Sequence, residues 1–110
     1  MNSADLRTYV LNYKVADESQ IKILDRWLRE NADIRSIVSP IPLVYFFKSH
    51  LSATELSQKM SFLFPGGGFA IAEINILNID GNMPKFTWDW FYQTKQNDAH
   101  GPTNLGIAYR

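Results

Sequence analysis

The chain opens on an alternation of apolar and mostly polar positions. Over residues 7–15 the apolar side chains of Tyr9, Leu11, Tyr13 and Val15 occupy every second position. A period of two is typical of a half-buried strand, because successive side chains of a strand point to opposite faces. We therefore predict a first strand over residues 7–15.

The next apolar positions recur every three or four residues. Ile21, Leu24 and Leu28 have helical spacing, and Asp17 precedes them at the position of a helix N-cap. A carboxylate there accepts hydrogen bonds from the backbone N–H groups that the first turn of a helix leaves without partners. This pattern predicts a helix over residues 18–30.

The middle of the chain predicts two further strands. Residues 34–38 form a short apolar run. A turn at residues 39–42 follows it, because the two prolines there cannot donate to a sheet ladder. In residues 43–48 both the odd-numbered and the even-numbered positions carry apolar side chains, as in a central strand with both faces covered or with one face in a subunit contact.

A second helix and a long strand complete the predicted order. Ser52 and Glu55 have the spacing of a capping box, which predicts a helix that begins near Ala53. The glycines at positions 66–68 end this helix. Because they lead from a helix into a strand, they suit a helix C-cap rather than a phosphate-binding loop. Residues 69–79 then predict a long, central fourth strand.

The remaining residues add an aromatic segment and a tail. Residues 86–92 predict a short helix that packs through Phe86 and Trp90, and residues 93–110 predict a mobile tail. The β-α-β-β-α-β order over residues 1–92 predicts an α+β domain, a ferredoxin-like two-layer sandwich with both helices on one face of an antiparallel sheet. A symmetric partner or the Trp88–Trp90 segment would cover the other face.

Composition narrows the class of protein. The 110 residues are 45% apolar and 14% aromatic, which suits one folded domain and excludes a disordered chain. Eleven basic residues balance eleven acidic ones, so no overall field drives generic binding to nucleic acid or lipid. The absence of cysteine excludes thiol catalysis and cysteine metal sites. We expect a cytoplasmic protein with no membrane segment, no cofactor and no metal.

Three short blocks carry a family resemblance. They read TYVLNY at residues 8–13, LSATEL at residues 51–56 and MPKFTWDW at residues 83–90. With them the chain resembles the SinR-like small proteins, relatives of the CRISPR-associated integration-complex small subunit and of VapD-type ribonuclease toxins, over about residues 6–92. The resemblance implies a ferredoxin-like homodimer whose first strands face one another near the dimer axis. It also implies a role that concerns nucleic acid or the conflict between host and mobile element, in a host-defence, mobile-element or toxin–antitoxin context.

One position departs from that family. Members with nuclease chemistry carry an aspartate directly after the tyrosine that ends the first strand, where a carboxylate pair across the dimer could hold a divalent cation. Here Lys14 follows Tyr13. An ammonium group has three donors and no acceptor, so it repels a cation. We therefore expect a non-catalytic binding module for a protein or nucleic-acid partner.

The alternative is an endoribonuclease that lacks the usual carboxylate pair. Its catalytic candidates are Lys14, Asp17 and His50, with Lys14 or Arg7 as the electrostatic stabiliser. His50 and His100 are the two imidazoles of the chain, so an acid–base pair of histidines would need both. A third hypothesis, a small-ligand sensor that uses the open face of the sheet, has no residue-level support.

A basic stripe is the leading candidate for contacts with RNA or DNA. Lys22, Arg26 and Arg29 fall on one helix face, and Arg7 and Arg35 could extend it. Phosphate contacts there would make binding weaken steeply with salt.

Both groups of binding candidates also have a plainer interpretation. Glu18 and Asp25 each stand four residues before a cation of the stripe, the spacing of ordinary ion pairs on a solvated helix. Trp88 and Trp90 could stack on bases or anchor a protein partner, but they could equally pack onto the sheet.

Overall fold

The computed structural model describes residues 6–14, 17–92 and 100–103. They form an α+β fold with elements in the order β1 (Arg7–Tyr13), α1 (Glu18–Glu30), β2 (Ser36–Ile41), β3 (Val44–Ser49), α2 (Ala53–Met60), a 3-10 helix (Ser61–Leu63), β4 (Phe69–Glu73), α3 (Lys85–Phe91) and β5 (His100–Thr103). The two capped helices begin where the sequence predicts. The Asp17 side chain accepts a bond from the backbone N–H of Gln20, and Ser52 and Glu55 form the capping box.

One five-stranded sheet of order β4-β1-β3-β2-β5 organises the fold. Strands β1 to β4 pair antiparallel, and β5 runs parallel to β2. The central position predicted for β3 is confirmed. The β2–β3 turn comes later than predicted, because β2 continues through an irregularity between Val38 and Ile41 that accommodates Pro40.

The prediction of a long, central fourth strand is wrong. Strand β4 has five residues, Phe69–Glu73, and within the described residues it lies at the edge of the sheet. The physical reason is a local turn. The side chain of Asn75 accepts a bond from the backbone N–H of Leu77 at 2.9 Å, and its carbonyl accepts one from Asn78 at 2.8 Å. Asparagine stabilises such turns, and this one directs the chain out of the sheet despite its apolar composition.

Part of the predicted tail belongs to the sheet. The backbone of His100–Thr103 forms β5, which pairs with Ile37 and Ser39 of β2. The rest of residues 93–110 lies outside the described residues, as does Val15 at the end of the predicted first strand.

Two apolar clusters lie on opposite faces of the sheet. The larger one joins Tyr9, Leu11 and Tyr13 of β1 to buried leucines of α1 and α2, so these helices and the sheet form two layers as predicted. On the other face Phe46 packs beneath Phe91 of α3, with ring centroids 5.0 Å apart. Helix α3 therefore provides the cover that the sequence required. No helix within the described residues is long and apolar enough to cross a bilayer.

Candidate functional site

A groove of about 280 Å³ lies between α1 and the 3-10 helix. The groove residues on α1 are neighbours in sequence or lie one helical turn apart, so they share one face of the helix. The lining residues are Lys22, Ile23, Arg26, Trp27, Glu30, Phe62 and Leu63. We call this the α1 groove.

The floor of the α1 groove is apolar and open to solvent. The rings of Trp27 and Phe62 meet edge to face with centroids 6.1 Å apart. Ile23 is 59% exposed and Phe62 is 64% exposed. Large apolar side chains that cluster in this way on a surface mark an interaction site more often than scattered ones do.

Two cations stand at the rim of this floor. Lys22 and Arg26 are exposed, and within the described part of the chain neither forms an ion pair. The predicted pair of Lys22 with Glu18 is thus not formed. The predicted pair of Arg29 with Asp25 is formed, at 2.9 Å. The basic stripe therefore divides into Arg29, which has a structural partner, and two cations that face the groove.

The other two predicted members of the stripe lie elsewhere. The hydrogen bonds between Glu55 and Ser52 are the main cause of the lowered pKa of the Glu55 carboxyl, and the charge of Arg7 lowers it further. The backbone N–H of Arg35 donates to the carbonyl of Lys48 at 2.8 Å, where β2 begins. Neither arginine lines the α1 groove.

The catalytic candidates do not form one site. Lys14 follows the last residue of β1, and its backbone N–H donates to the carbonyl of Gly68 at 2.7 Å. His50 follows Ser49, which pairs with Arg7 at the first residue of β1. These two ends of β1 are roughly 20 Å apart at about 3.3 Å per residue. His50 and Lys14 therefore lie too far apart in one chain to act together, which removes this pair from the endoribonuclease hypothesis.

Asp17 has a structural task. One of its carboxylate oxygens accepts bonds from the hydroxyl of Ser19 at 2.6 Å and from the backbone N–H of Gln20 at 3.1 Å. These two bonds lower the pKa of Asp17. Among residues 6–14 and 17–92, no three histidine, aspartate or glutamate side chains lie together as metal ligands.

The α3 tryptophans pack onto the sheet. Trp90 is 6% exposed, and its indole N–H donates to the hydroxyl of Ser36 at 2.7 Å. Trp88 is partly buried against Phe91, with ring centroids 5.7 Å apart. The role of Trp90 in partner binding stays a prediction, although burial leaves its ring little surface to offer a partner.

Phe62 is one of the groove residues that the sequence interpretation did not identify as part of a site. It lies in the run Phe62-Leu63-Phe64, of which Phe64 is buried and Phe62 is exposed. Three successive apolar residues in a helical turn point in three directions, so one of them had to face outward. That geometry is the signal that could have identified it.

The α1 groove thus combines an apolar floor with cationic groups able to pair with a carboxylate or a phosphate. Glu30 at its far end leaves a net charge of one unit among the lining residues. Comparisons with protein families, with curated proteins and with solved structures found no match to this chain.

Proposed function

We propose that this chain is a small, non-catalytic binding module that holds a protein partner in the α1 groove. The observation that carries the proposal is that one groove is lined by the exposed apolar side chains of Ile23 and Phe62 and by two cations, which form no ion pair within the described part of the chain. An apolar side chain of the partner would displace water from the floor, while an adjacent carboxylate would pair with Lys22 or Arg26. Tryptophan and arginine, as at Trp27 and Arg26, are typical of the positions that dominate binding energy.

A protein suits this groove better than RNA or DNA does. Nucleic-acid affinity depends on a track of several cations along the phosphate backbone. Here only Lys22 and Arg26 of the predicted stripe share the groove, and Glu30 reduces their field. Nucleic-acid binding is therefore the competing outcome of the test.

The finer description of the fold belongs to the same proposal. Four antiparallel strands in the order β4-β1-β3-β2, with α1 and α2 on one face, support a ferredoxin-like sandwich. On this proposal the chain is related to the SinR-like proteins, and its partner belongs to a host-defence, mobile-element or toxin–antitoxin system.

Homodimer formation is the remaining part of the proposal, and its support is the family resemblance. Light scattering at micromolar concentration tests it. A mass near twice the 12.6 kDa of one chain is the expected result. A mass of one chain would contradict the homodimer and leave the binding role of the α1 groove intact.

A selection experiment tests the binding role. Random peptides displayed on phage are selected against the immobilised full chain. We expect enrichment of peptides in which a large apolar residue adjoins an aspartate or glutamate. Each enriched peptide is then titrated against the wild-type chain, Arg26→Glu and Ile23→Glu. Both changes should weaken binding, because the first reverses the rim charge and the second places a charge on the apolar floor.

The matched control is Lys85→Glu. Lys85 is also a helical cation, with its side chain 86% exposed, but it lies on α3. Its reversal should leave peptide binding unchanged. The proposal fails if the enriched peptides bind Arg26→Glu as tightly as wild type. It also fails if no peptide is enriched while a labelled RNA or DNA oligonucleotide binds in a way that depends on Arg26.

A further inference from the structure

The edge strand β4 has a free side within the described residues. It pairs with β1 alone. At its two ends the carbonyl of Gly68 accepts a bond from the N–H of Lys14, directly after β1, and the N–H of Ile74 donates to the carbonyl of Thr8 in β1, each at 2.7 Å. In an antiparallel ladder such residues alternate with residues whose backbone groups point away. By this alternation Phe69, Ile71 and Glu73 direct their N–H and C=O groups outward.

A second groove runs along this edge. It has a volume of about 310 Å³ and lies between β4 and α2, lined by Ala53, Thr54, Ser57, Gln58, Phe69, Ala70 and Ile71. Phe69 and Ile71 therefore offer both outward backbone groups and apolar side chains on the α2 side. We call the edge and its groove together the β4 edge site.

We propose that the β4 edge site binds an extended polypeptide segment as an added antiparallel strand, whose alternate side chains enter the groove. The inference is independent of the α1 groove, which lies between other elements. Outward N–H and C=O groups at every second residue complement another extended backbone. Strand β4 also lacks the proline or lysine that commonly protects a free edge.

The length of the edge argues for a separate segment rather than a second copy. Five residues, Phe69–Glu73, are far fewer than the roughly 20–30 residues that each partner contributes to a stable protein interface. A short segment needs no larger area, because the groove receives its side chains as well as its backbone.

The side chains of β4 specify the chemistry of the segment. Residues of an added strand that face Glu73, Ile71 and Phe69 lie on the α2 side of the sheet, like those residues themselves. A cation suits the position opposite Glu73, and apolar residues suit the other two. Because the added strand is antiparallel, its order from the N-terminus is a cation, any residue, an apolar residue, any residue and an apolar residue.

A labelled peptide of sequence TRTVTVT follows this order and serves as the probe. Its binding to the full chain is measured by fluorescence polarisation, and we expect saturation. Ile71→Pro removes the central outward N–H but no bond to β1, so it should weaken binding about tenfold. Ile71→Lys should weaken it at least as much, because it places a charge beside the apolar positions of the peptide.

Two further variants sharpen the test. Ala72→Thr is the matched control, because Ala72 is exposed, bonds to β1 and points to the other face of the sheet. It should bind TRTVTVT like wild type. Glu73→Lys should weaken binding of TRTVTVT about fivefold, and the peptide TETVTVT should recover the loss. Circular dichroism melts establish that each variant is folded. If Ile71→Pro is not folded, the binding measured for Ile71→Lys decides the test.

Three results would overturn the proposal. The first is no saturable binding of TRTVTVT. The second is equal binding by wild type and both Ile71 variants. The third is a wild-type dimer that Ile71→Lys converts to monomer, which would assign the β4 edge to a second copy. None of these results bears on peptides that bind the α1 groove.

Discussion

The ammonium group of Lys48 donates a hydrogen bond of 2.8 Å to the backbone carbonyl of Trp90 and lies 4.5 Å from the centre of its indole ring. Lys48 is 5% exposed, and burial lowers its pKa. Its amine meets the last turn of α3, where a cation interacts favourably with the helix dipole. Lys48 therefore fastens α3 to the second face of the sheet.

Replacement of Lys48 should change how stability depends on pH. The pKa of Lys48 is lower in the folded chain than in the unfolded chain, so between these two values the unfolded chain binds more protons. The free energy of unfolding therefore rises as the pH increases toward 10.5. We expect Lys48→Met to remove this rise, as measured by urea unfolding between neutral pH and about pH 10. An unchanged rise in the variant would contradict a buried, desolvated amine.

The bond between Trp90 and Ser36 should contribute measurably to stability. Its two partners are buried, and it joins α3 to β2. In a double-mutant cycle of Trp90→Phe and Ser36→Ala, we expect a coupling energy of about 1 kcal/mol from urea unfolding. The cycle separates this bond from the packing that each substitution also removes. A coupling energy of zero would show that the bond does not hold α3 in place.

Tyr13 should make the folded state sensitive to alkali. Burial, with a smaller contribution from the charge of Asp25, raises the pKa of Tyr13 to about 12. Between pH 10.0 and that value the folded chain binds more protons than the unfolded chain. The contribution of Tyr13 is thus complete below pH 10.0 and is lost as the pH rises through the folded pKa. The loss amounts to about 2–3 kcal/mol.

The control for this prediction is Tyr13→Phe. Urea unfolding across the same alkaline range should show a smaller loss of stability for the variant, because phenylalanine has no proton to release. Tyr45, whose hydroxyl donates to Asp25 at 2.8 Å, remains in both proteins. Equal losses in wild type and variant would contradict the raised pKa of Tyr13.

Local signals in the sequence predicted the starts of α1 and α2 well. The Asp17 cap and the Ser52–Glu55 box each fix a helix start through side chains within three residues, so no knowledge of the rest of the fold is needed. The burial of Tyr9, Leu11 and Tyr13 in β1 was also predictable, because the period of two is a local pattern that needs no knowledge of the rest of the fold.

Sheet partners were harder to predict because they depend on residues distant in sequence. Strand β5 pairs with Ile37 and Ser39, which lie more than sixty positions before it in the sequence. Its own composition is typical of a turn. The apolar run after Glu73 leaves the sheet because one asparagine, Asn75, forms a turn. Composition alone does not show whether a segment joins the sheet, because the sheet ladder and a local turn compete for the same backbone N–H and C=O groups.

The same limit applies to the candidate site. Sequence spacing placed Lys22, Arg26 and Arg29 on one helix face. The same spacing predicted two ion pairs, Glu18 with Lys22 and Asp25 with Arg29. It could not show that the first is not formed, or that Lys22 and Arg26 border a groove completed by Phe62 from the 3-10 helix. The missing information was the position of one element relative to another.

A charge exchange across the α1 groove tests the binding role most directly. The measurement is the dissociation constant of a selected peptide for wild type and for Arg26→Glu, repeated with the acidic residue of the peptide replaced by lysine. We expect Arg26→Glu to weaken the original peptide about fivefold to tenfold and the lysine peptide to recover that loss. Equal affinity of wild type and Arg26→Glu for the original peptide would contradict a role of Arg26 and its groove in partner binding.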